Sequence, residues 1–249
     1  MIAEAFADGT AFMPYMMGGF PNVARSAEIG RAYADGGADL VELGFPFSDP
    51  LADGPVIAAA GTQALKAGAT VDGMFGLCET VAARVPVVVM VYANLVFARG
   101  ADAFCAALRD AGASGLIVPD LPMEEAPALL EAADAAGVAL VPLVAPTTPD
   151  ERLAQIGARA RGFLYTVSVT GITGEREKLS DHFASVVARA KQATDVPIAL
   201  GFGISTPEQA REAADAGADG VIVGTRMVRA AAEGDDVRAL VESFTQAIG

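Results

Sequence analysis

The sequence predicts an α/β protein, a single closed (β/α)8 barrel. Two observations carry this expectation. First, the 249-residue chain contains eight short β-branched runs separated by helical patterns, the alternation that parallel βα units produce. Second, one grammar recurs at 34–44, 110–120 and 215–224: a helix end, Gly-Ala or Gly-Gly-Ala, then an apolar run. Glycine suits the left-handed position that closes a helix. The run that follows suits a strand buried on both faces.

In chain order the expected strands are 11–17, 39–44, 87–91, 115–118, 139–144, 162–167, 198–201 and 220–223. Helices are expected between them, among others at 101–111, 124–136 and 207–216. Eight such units in about 250 residues fit a closed barrel. A doubly wound open sheet usually needs fewer strands, and no Gly-x-Gly-x-x-Gly follows the first one. No linker or low-complexity stretch interrupts the chain, so 1–249 reads as one domain.

Composition narrows the function. With 31 acidic against 17 basic residues the net charge is −14. The three lysines are Lys66, Lys178 and Lys191, and the arginines are scattered. Nucleic acids are held largely through Lys and Arg clusters, so they are set aside, as are anionic membranes. Mean hydropathy is high at +0.41, yet Gly, Pro, Asp or Arg breaks every apolar run before the roughly 18 residues of a membrane span. Residues 1–9 show no secretory pattern, and Cys78 and Cys105 read as buried free thiols, so a cytoplasmic protein is expected. The single histidine, His182, sits in a helix-like stretch. That leaves no multi-histidine metal site and no good partner for a Ser-His-Asp triad.

In a barrel, function gathers in the loops after strand C-termini. Two of these are long: 45–55 after the second strand and 168–180 after the sixth. Ordinary βα loops run about 2–6 residues. Glu42 falls inside the second strand, where a buried carboxylate is costly unless it is paired or faces a cavity. Alternation turns Val41 and Leu43 the other way, so Glu42 is expected to point into the barrel mouth. Burial would raise its pKa and let it hold a proton near neutrality. Asp53 lies in a Pro- and Gly-restrained loop that can return over the mouth. Gly201–Ser205 follows the seventh strand, and Gly224-Thr225 follows the eighth and opens a helix. These are the positions of the usual barrel phosphate site, where backbone amides substitute for cationic side chains.

The stretch Val41-Glu42-Leu43-Gly44-Phe45-Pro46-Phe47-Ser48-Asp49-Pro50-Leu51-Ala52-Asp53-Gly54-Pro55 resembles the signature of the tryptophan synthase alpha subunit family. The resemblance continues through Tyr92–Phe97, Pro119–Pro122, Thr170–Gly174 and Gly201–Ser205, in order along nearly the whole chain. It implies retro-aldol cleavage of indole-3-glycerol phosphate to indole and glyceraldehyde 3-phosphate. By the resemblance, Glu42 is the acid–base carboxylate, Asp53 faces the indole N–H, and Tyr165 supports them. Thr173 belongs to a loop that closes over substrate and orients Asp53. Gly174, Gly203, Gly224 and Thr225 match phosphate-binding positions, with Phe202 also at the substrate site. Phe12, Tyr92, Phe202 and Ile204 are expected pocket walls.

The resemblance further implies a beta-subunit partner in an alpha2beta2 tetramer. Pyridoxal phosphate would reside in that partner, and this chain would carry no cofactor or metal of its own. The loop around Pro46 and Asp49 and the Asn94–Phe97 loop would be the contact surfaces. Three departures from the family pattern stand out. Thr225 replaces a common Ser. Arg226 replaces a small residue, adding positive charge beside the anion. The segment before Phe12 is short, so the leading helix is expected to be truncated. Alternatives are a free-standing lyase with the same chemistry, a non-catalytic regulatory barrel that binds the ligand, and a phosphosugar epimerase or isomerase. Retention of both Glu42 and Asp53 argues against the regulatory barrel. The metal-dependent epimerases and isomerases need several histidines.

Overall fold

The computed structural model describes residues 2–167, 179–201 and 203–249. Nine parallel strands form one curled sheet: β1 (Ala11–Met17), β2 (Val41–Gly44), β3 (Val87–Met90), β4 (Gly115–Ile117), β5 (Ala139–Leu140), β6 (Leu143–Val144), β7 (Leu164–Val167), β8 (Ile198–Gly201) and β9 (Gly220–Val223). The helices, in chain order, are α1 (Val23–Asp35), α2 (Pro55–Lys66), α3 (Val71–Ala82), α4 (Ala93–Arg99), α5 (Ala101–Asp110), α6 (Pro127–Ala136), α7 (Asp150–Gly157), α8 (Leu179–Ala193), α9 (Pro207–Asp215), α10 (Thr225–Glu233) and α11 (Val237–Ile248).

The strand order is β5-β4-β3-β2-β1-β9-β8-β7-β6. Its two ends are consecutive pieces of one segment, so the chain itself closes the barrel. The expected fifth strand, 139–144, is thus broken in two. Its pieces pair outwards, β5 with β4 and β6 with β7. Pro142 has no N–H to give to a ladder, yet its carbonyl accepts the Tyr165 N–H at 3.1 Å while the Val141 N–H donates to Leu116 at 2.9 Å. The other seven strands lie where the sequence placed them, within one or two residues at most ends.

Side chains sort by strand alternation into two layers. Met13, Leu40, Val88, Ile117, Val141, Phe163, Ala199 and Ile222 fill the barrel interior. Phe12, Met16, Val41, Leu43, Val87, Val89, Leu116, Leu200 and Val221 face the helices. Residues 2–6 form a short 3-10 turn. That turn still plugs the N-terminal end of the barrel: Ile2 is 5% exposed among the interior residues, and Phe6 packs against Phe163 at 5.8 Å. Cys78 and Cys105 are free and buried, and burial pushes their thiols up to about 12 and about 11. His182 lies in α8.

Below the mouth, Asp39 and Asp219 stitch neighbouring strands. The Asp39 N–H donates to the Phe12 carbonyl at 3.1 Å, and its carboxylate accepts the Phe12 N–H at 2.8 Å. Asp219 makes the same reciprocal exchange with Ile198, at 2.9 and 2.8 Å. Both aspartates come from the repeated Gly-Ala-Asp grammar, so the repeat has a physical purpose: it locks the strand that follows to the one beside it.

Candidate active site

Glu42 stands on β2, opposite Tyr15 of β1 in the parallel register. It is 2% exposed, and neither of its carboxylate oxygens has a hydrogen-bond partner. Val41 and Leu43 do point into the outer layer, so Glu42 faces the cavity as alternation required. Desolvation first, and the nearby Asp53 charge second, push its carboxyl up to about 8. At neutral pH it therefore carries a proton.

Asp53 reaches the same cavity from the long loop between β2 and α2. Asp53 N–H bonds to the Pro50 carbonyl at 3.1 Å, and Pro55 starts α2 directly after Gly54. The Tyr92 hydroxyl accepts the Ala52 N–H at 3.0 Å and hydrogen-bonds the Asp53 carboxylate. The Tyr92 ring stacks on Phe47 at 5.1 Å. Burial raises the Asp53 carboxyl above its usual range, and the Tyr92 hydrogen bond pulls it back. The two carboxylates thus sit in unlike environments, one with a partner and one without, which separates an acid from a conjugate base.

Two phenols flank Glu42. Tyr165, on β7, lies over Gly201, where a Cβ would come within 2.3 Å of its ring. Tyr15 lies over Gly44, where a Cβ would come within 2.0 Å of its hydroxyl. Both glycines are required by close approach. Tyr15 was missed in the sequence reading, which put Phe12 in the pocket instead. Phe12 has the wrong parity on β1: it points outward and stacks on Phe244 of α11 at 5.0 Å. Counting alternate residues from Met13 would have selected Tyr15.

Two other expected walls also move. Tyr92 is 4% exposed and braces the Asp53 loop, and the cavity lining does not include it. Ile204, 4% exposed, packs within the apolar core, and the cavity lining does not include it. Phe202, Thr173 and Gly174 lie outside the described residues, as does most of the expected 168–180 loop.

The anion end follows expectation more closely. Gly203, Gly224 and Thr225 line the cavity. Two helices begin near this end, and they differ. α9 closes its own N-terminus with a capping box, Thr206 and Gln209 satisfying each other's backbone. α10, capped by Gly224, has no side-chain cap at all. Its first free N–H groups and dipole therefore remain for an anion. Arg226 does not join them, because its guanidinium turns to Asp235 at 3.4 Å. Among the described residues, no group of three or more His, Cys, Asp or Glu could hold a metal ion.

A closed parallel barrel with an unpartnered, protonated carboxyl, a second carboxylate and an uncapped helix end at one mouth defines a class: TIM-barrel enzymes that move protons on a phosphorylated substrate. Comparison with known proteins gives the particular family. The model for the tryptophan synthase alpha chain matches residues 3–247. The chain belongs to that family. Tryptophan synthase alpha chains of Prochlorococcus marinus and Methanosarcina mazei are 47% identical over 221 residues and 46% identical over 236 residues. These matches cover 88% and 95% of this chain and 80% and 86% of the relatives. Among solved structures, Mycobacterium tuberculosis tryptophan synthase superposes with a TM-score of 0.91 at 36% identity, covering 99% of this chain and 96% of that one. The Pyrococcus furiosus tryptophan synthase complex gives 0.86 at 32% identity, over 95% and 98%.

Proposed function

We infer that Glu42 and Asp53 divide the proton chemistry of the family's alpha reaction at this mouth. The chain is a lyase of tryptophan biosynthesis that cleaves indole-3-glycerol phosphate to indole and glyceraldehyde 3-phosphate. Breaking that bond takes a proton delivered to indole C3 and a proton removed from the glycerol hydroxyl, and it helps to disperse positive charge on the indole nitrogen. Glu42, protonated at neutral pH, delivers the first proton. The carboxylate so formed accepts the second. Asp53, whose carboxylate form the Tyr92 hydrogen bond favours against the upward pull of burial, faces the indole N–H and balances its growing charge. Tyr165 and Tyr15 shape the cavity around Glu42. The uncapped end of α10, with Gly203 and Thr225, holds the phosphate.

The observation that carries this reading is the buried carboxyl of Glu42 with two empty oxygens facing a cavity. Buried polar groups are nearly always satisfied, so an orphaned one at a barrel mouth waits for substrate. General acid–base catalysis of this kind contributes about 10²–10⁴ in rate. No lysine chemistry competes among the described residues: Lys66 closes α2 and Lys191 pairs with Asp219 at 2.9 Å.

The partner is a beta subunit, supported by the solved tryptophan synthase complexes among the structural neighbours. An alpha2beta2 assembly with pyridoxal phosphate in the beta subunit fits this reading. Leu51, 84% exposed on the Asp53 loop, and Phe97, 54% exposed, offer apolar contacts. Residues 94–97, expected as a loop, form part of α4. Both the relatives' names and the complexes favour the partnered enzyme over a free-standing lyase. Among the described residues no helix is long and apolar enough to cross a membrane, which fits a cytoplasmic site. The test is indole formation from indole-3-glycerol phosphate by the purified chain, titrated with beta subunit. Turnover that rises steeply on addition supports the reading, and no turnover at any ratio overturns it.

A further inference from the structure

The cavity extends well beyond the barrel mouth. Its volume is about 980 Å³, at the top of the ~300–1,000 Å³ range of small-molecule sites. One part is the mouth around Glu42, Asp53 and Gly224. The rest continues over the outside of the barrel wall, bordered by Met123, Ala126, Leu130, Leu140, Val144 and Ile156.

Two features open this side lobe. The outer helices form a ring in which each packs on the next: α7 on α8, then α9, α11, α1, α3, α5 and α6. Among the described residues no comparable packing joins α6 to α7. The wall beneath that gap is the broken strand, reduced to β5 and β6 of two residues each. In a barrel of this kind the helix layer ordinarily covers both neighbours of every strand. Here Leu140 and Pro142 are only half-buried. The charges lining this flank are Asp120, Glu131, Arg152 and Arg159, and at its edge Arg161 pairs with Asp134 at 3.4 Å. Arg152 is held in a two-pronged pair with Glu124, at 2.6 and 2.9 Å. The walls are otherwise mainly apolar, so the lobe suits a neutral apolar guest.

Cleavage at the mouth produces two unlike halves. The anionic half stays with the uncapped helix end. The aromatic half is neutral, loses its covalent tether and is driven towards apolar surface. We propose that the lobe between α6 and α7 is a second subsite for the neutral bicyclic aromatic product, continuous with the mouth where it is formed. This rests on the reaction assigned above. It gives the chain a place to hold indole while the mouth is occupied again.

The test uses the Glu42→Gln chain saturated with indole-3-glycerol phosphate, so that the mouth is filled. Fluoroindole is then titrated in and read by fluorine NMR, with equilibrium dialysis for stoichiometry. One equivalent is expected to bind. Ala126→Phe, which fills the lobe, is expected to weaken it by roughly tenfold or more, or about 1.4 kcal/mol. Leu130→Asp, which makes the wall polar without filling the lobe, is expected to do the same. Absence of fluoroindole binding to the filled Glu42→Gln chain overturns the proposal, whatever the variants do. Binding that both folded variants leave unchanged also overturns it. Cleavage by the wild-type chain is measured separately, so failure of the reaction and failure of the lobe are told apart.

Discussion

The two ends of the barrel use carboxylates in opposite ways. At the N-terminal end Asp39 and Asp219 each accept a backbone N–H from the neighbouring strand, and Asp219 also pairs with Lys191. At the C-terminal end, three residues beyond Asp39 on the same segment, Glu42 is buried with no partner for either oxygen. A carboxylate that satisfies a buried backbone N–H stabilises the fold, whereas a buried carboxyl left unsatisfied costs stability and is retained at a site for what it binds. The helix ends repeat the contrast: α9 is sealed by its own side chains and α10 is left open. One strand segment thus carries a structural carboxylate at one end and a chemical one at the other.

The sharpest way to break this contrast is Glu42→Gln. It keeps size and shape but has no proton to cycle, so kcat is expected to fall by about 10²–10⁴ while the chain still folds. Near-wild-type turnover would remove Glu42 from the chemistry. The pH profile comes next. Because free Glu42 must be protonated to act, kcat/KM should fall above about pH 8, by tenfold per unit. A flat profile to pH 10 would place the working proton elsewhere.

The same shift has a stability consequence. Glu42 is held at about 8 in the folded chain against 4.5 ordinarily. Between those values the unfolded chain has lost its proton and the folded one has not, so wild-type stability declines as pH rises and levels off above about 8. Glu42→Gln does not titrate, so its melting temperature should gain on wild type across that window. An unchanged difference from pH 5 to 9 would contradict the burial argument.

Asp39→Ala tests the other end. It leaves the Phe12 N–H buried without a partner, at about 1–3 kcal/mol, or a drop of roughly 3–10 °C in Tm for a chain of this size. Chemistry per folded molecule should persist. The smallest effect is expected at the helix ends. Thr206→Ala should cost about 1 kcal/mol of stability through the lost cap, and Thr225→Ala should instead raise KM. If Thr225→Ala destabilised and spared KM, the open helix end would be structural after all.

Much of this was legible from residue pattern. Helix–Gly–strand repeats placed seven strands, because glycine stops and β-branched runs are local signals. Alternation about Glu42 was enough to aim it inward, since Val41 and Leu43 have no polar alternative. The same rule applied to β1 selects Tyr15, whereas Phe12, offered by the family resemblance, has the opposite parity. Pro142 breaks the fifth strand, and a run of apolar residues hides that break until its pairing partners are known.

The sequence by itself determined the barrel, the inward carboxylate and the glycine-rich anion end, because each depends on neighbours a few residues apart. Only the tertiary structure decided the rest. Tyr92 became a brace because the Asp53 loop folds down onto its hydroxyl. Arg226 left the anion end because Asp235 stands closer. The flank between α6 and α7 lies open because, among the described residues, these successive helices are joined by ion pairs at their edges rather than by close packing of the kind seen between the other neighbours. Such outcomes depend on which distant groups reach one another first, and chain order alone carries no measure of that distance.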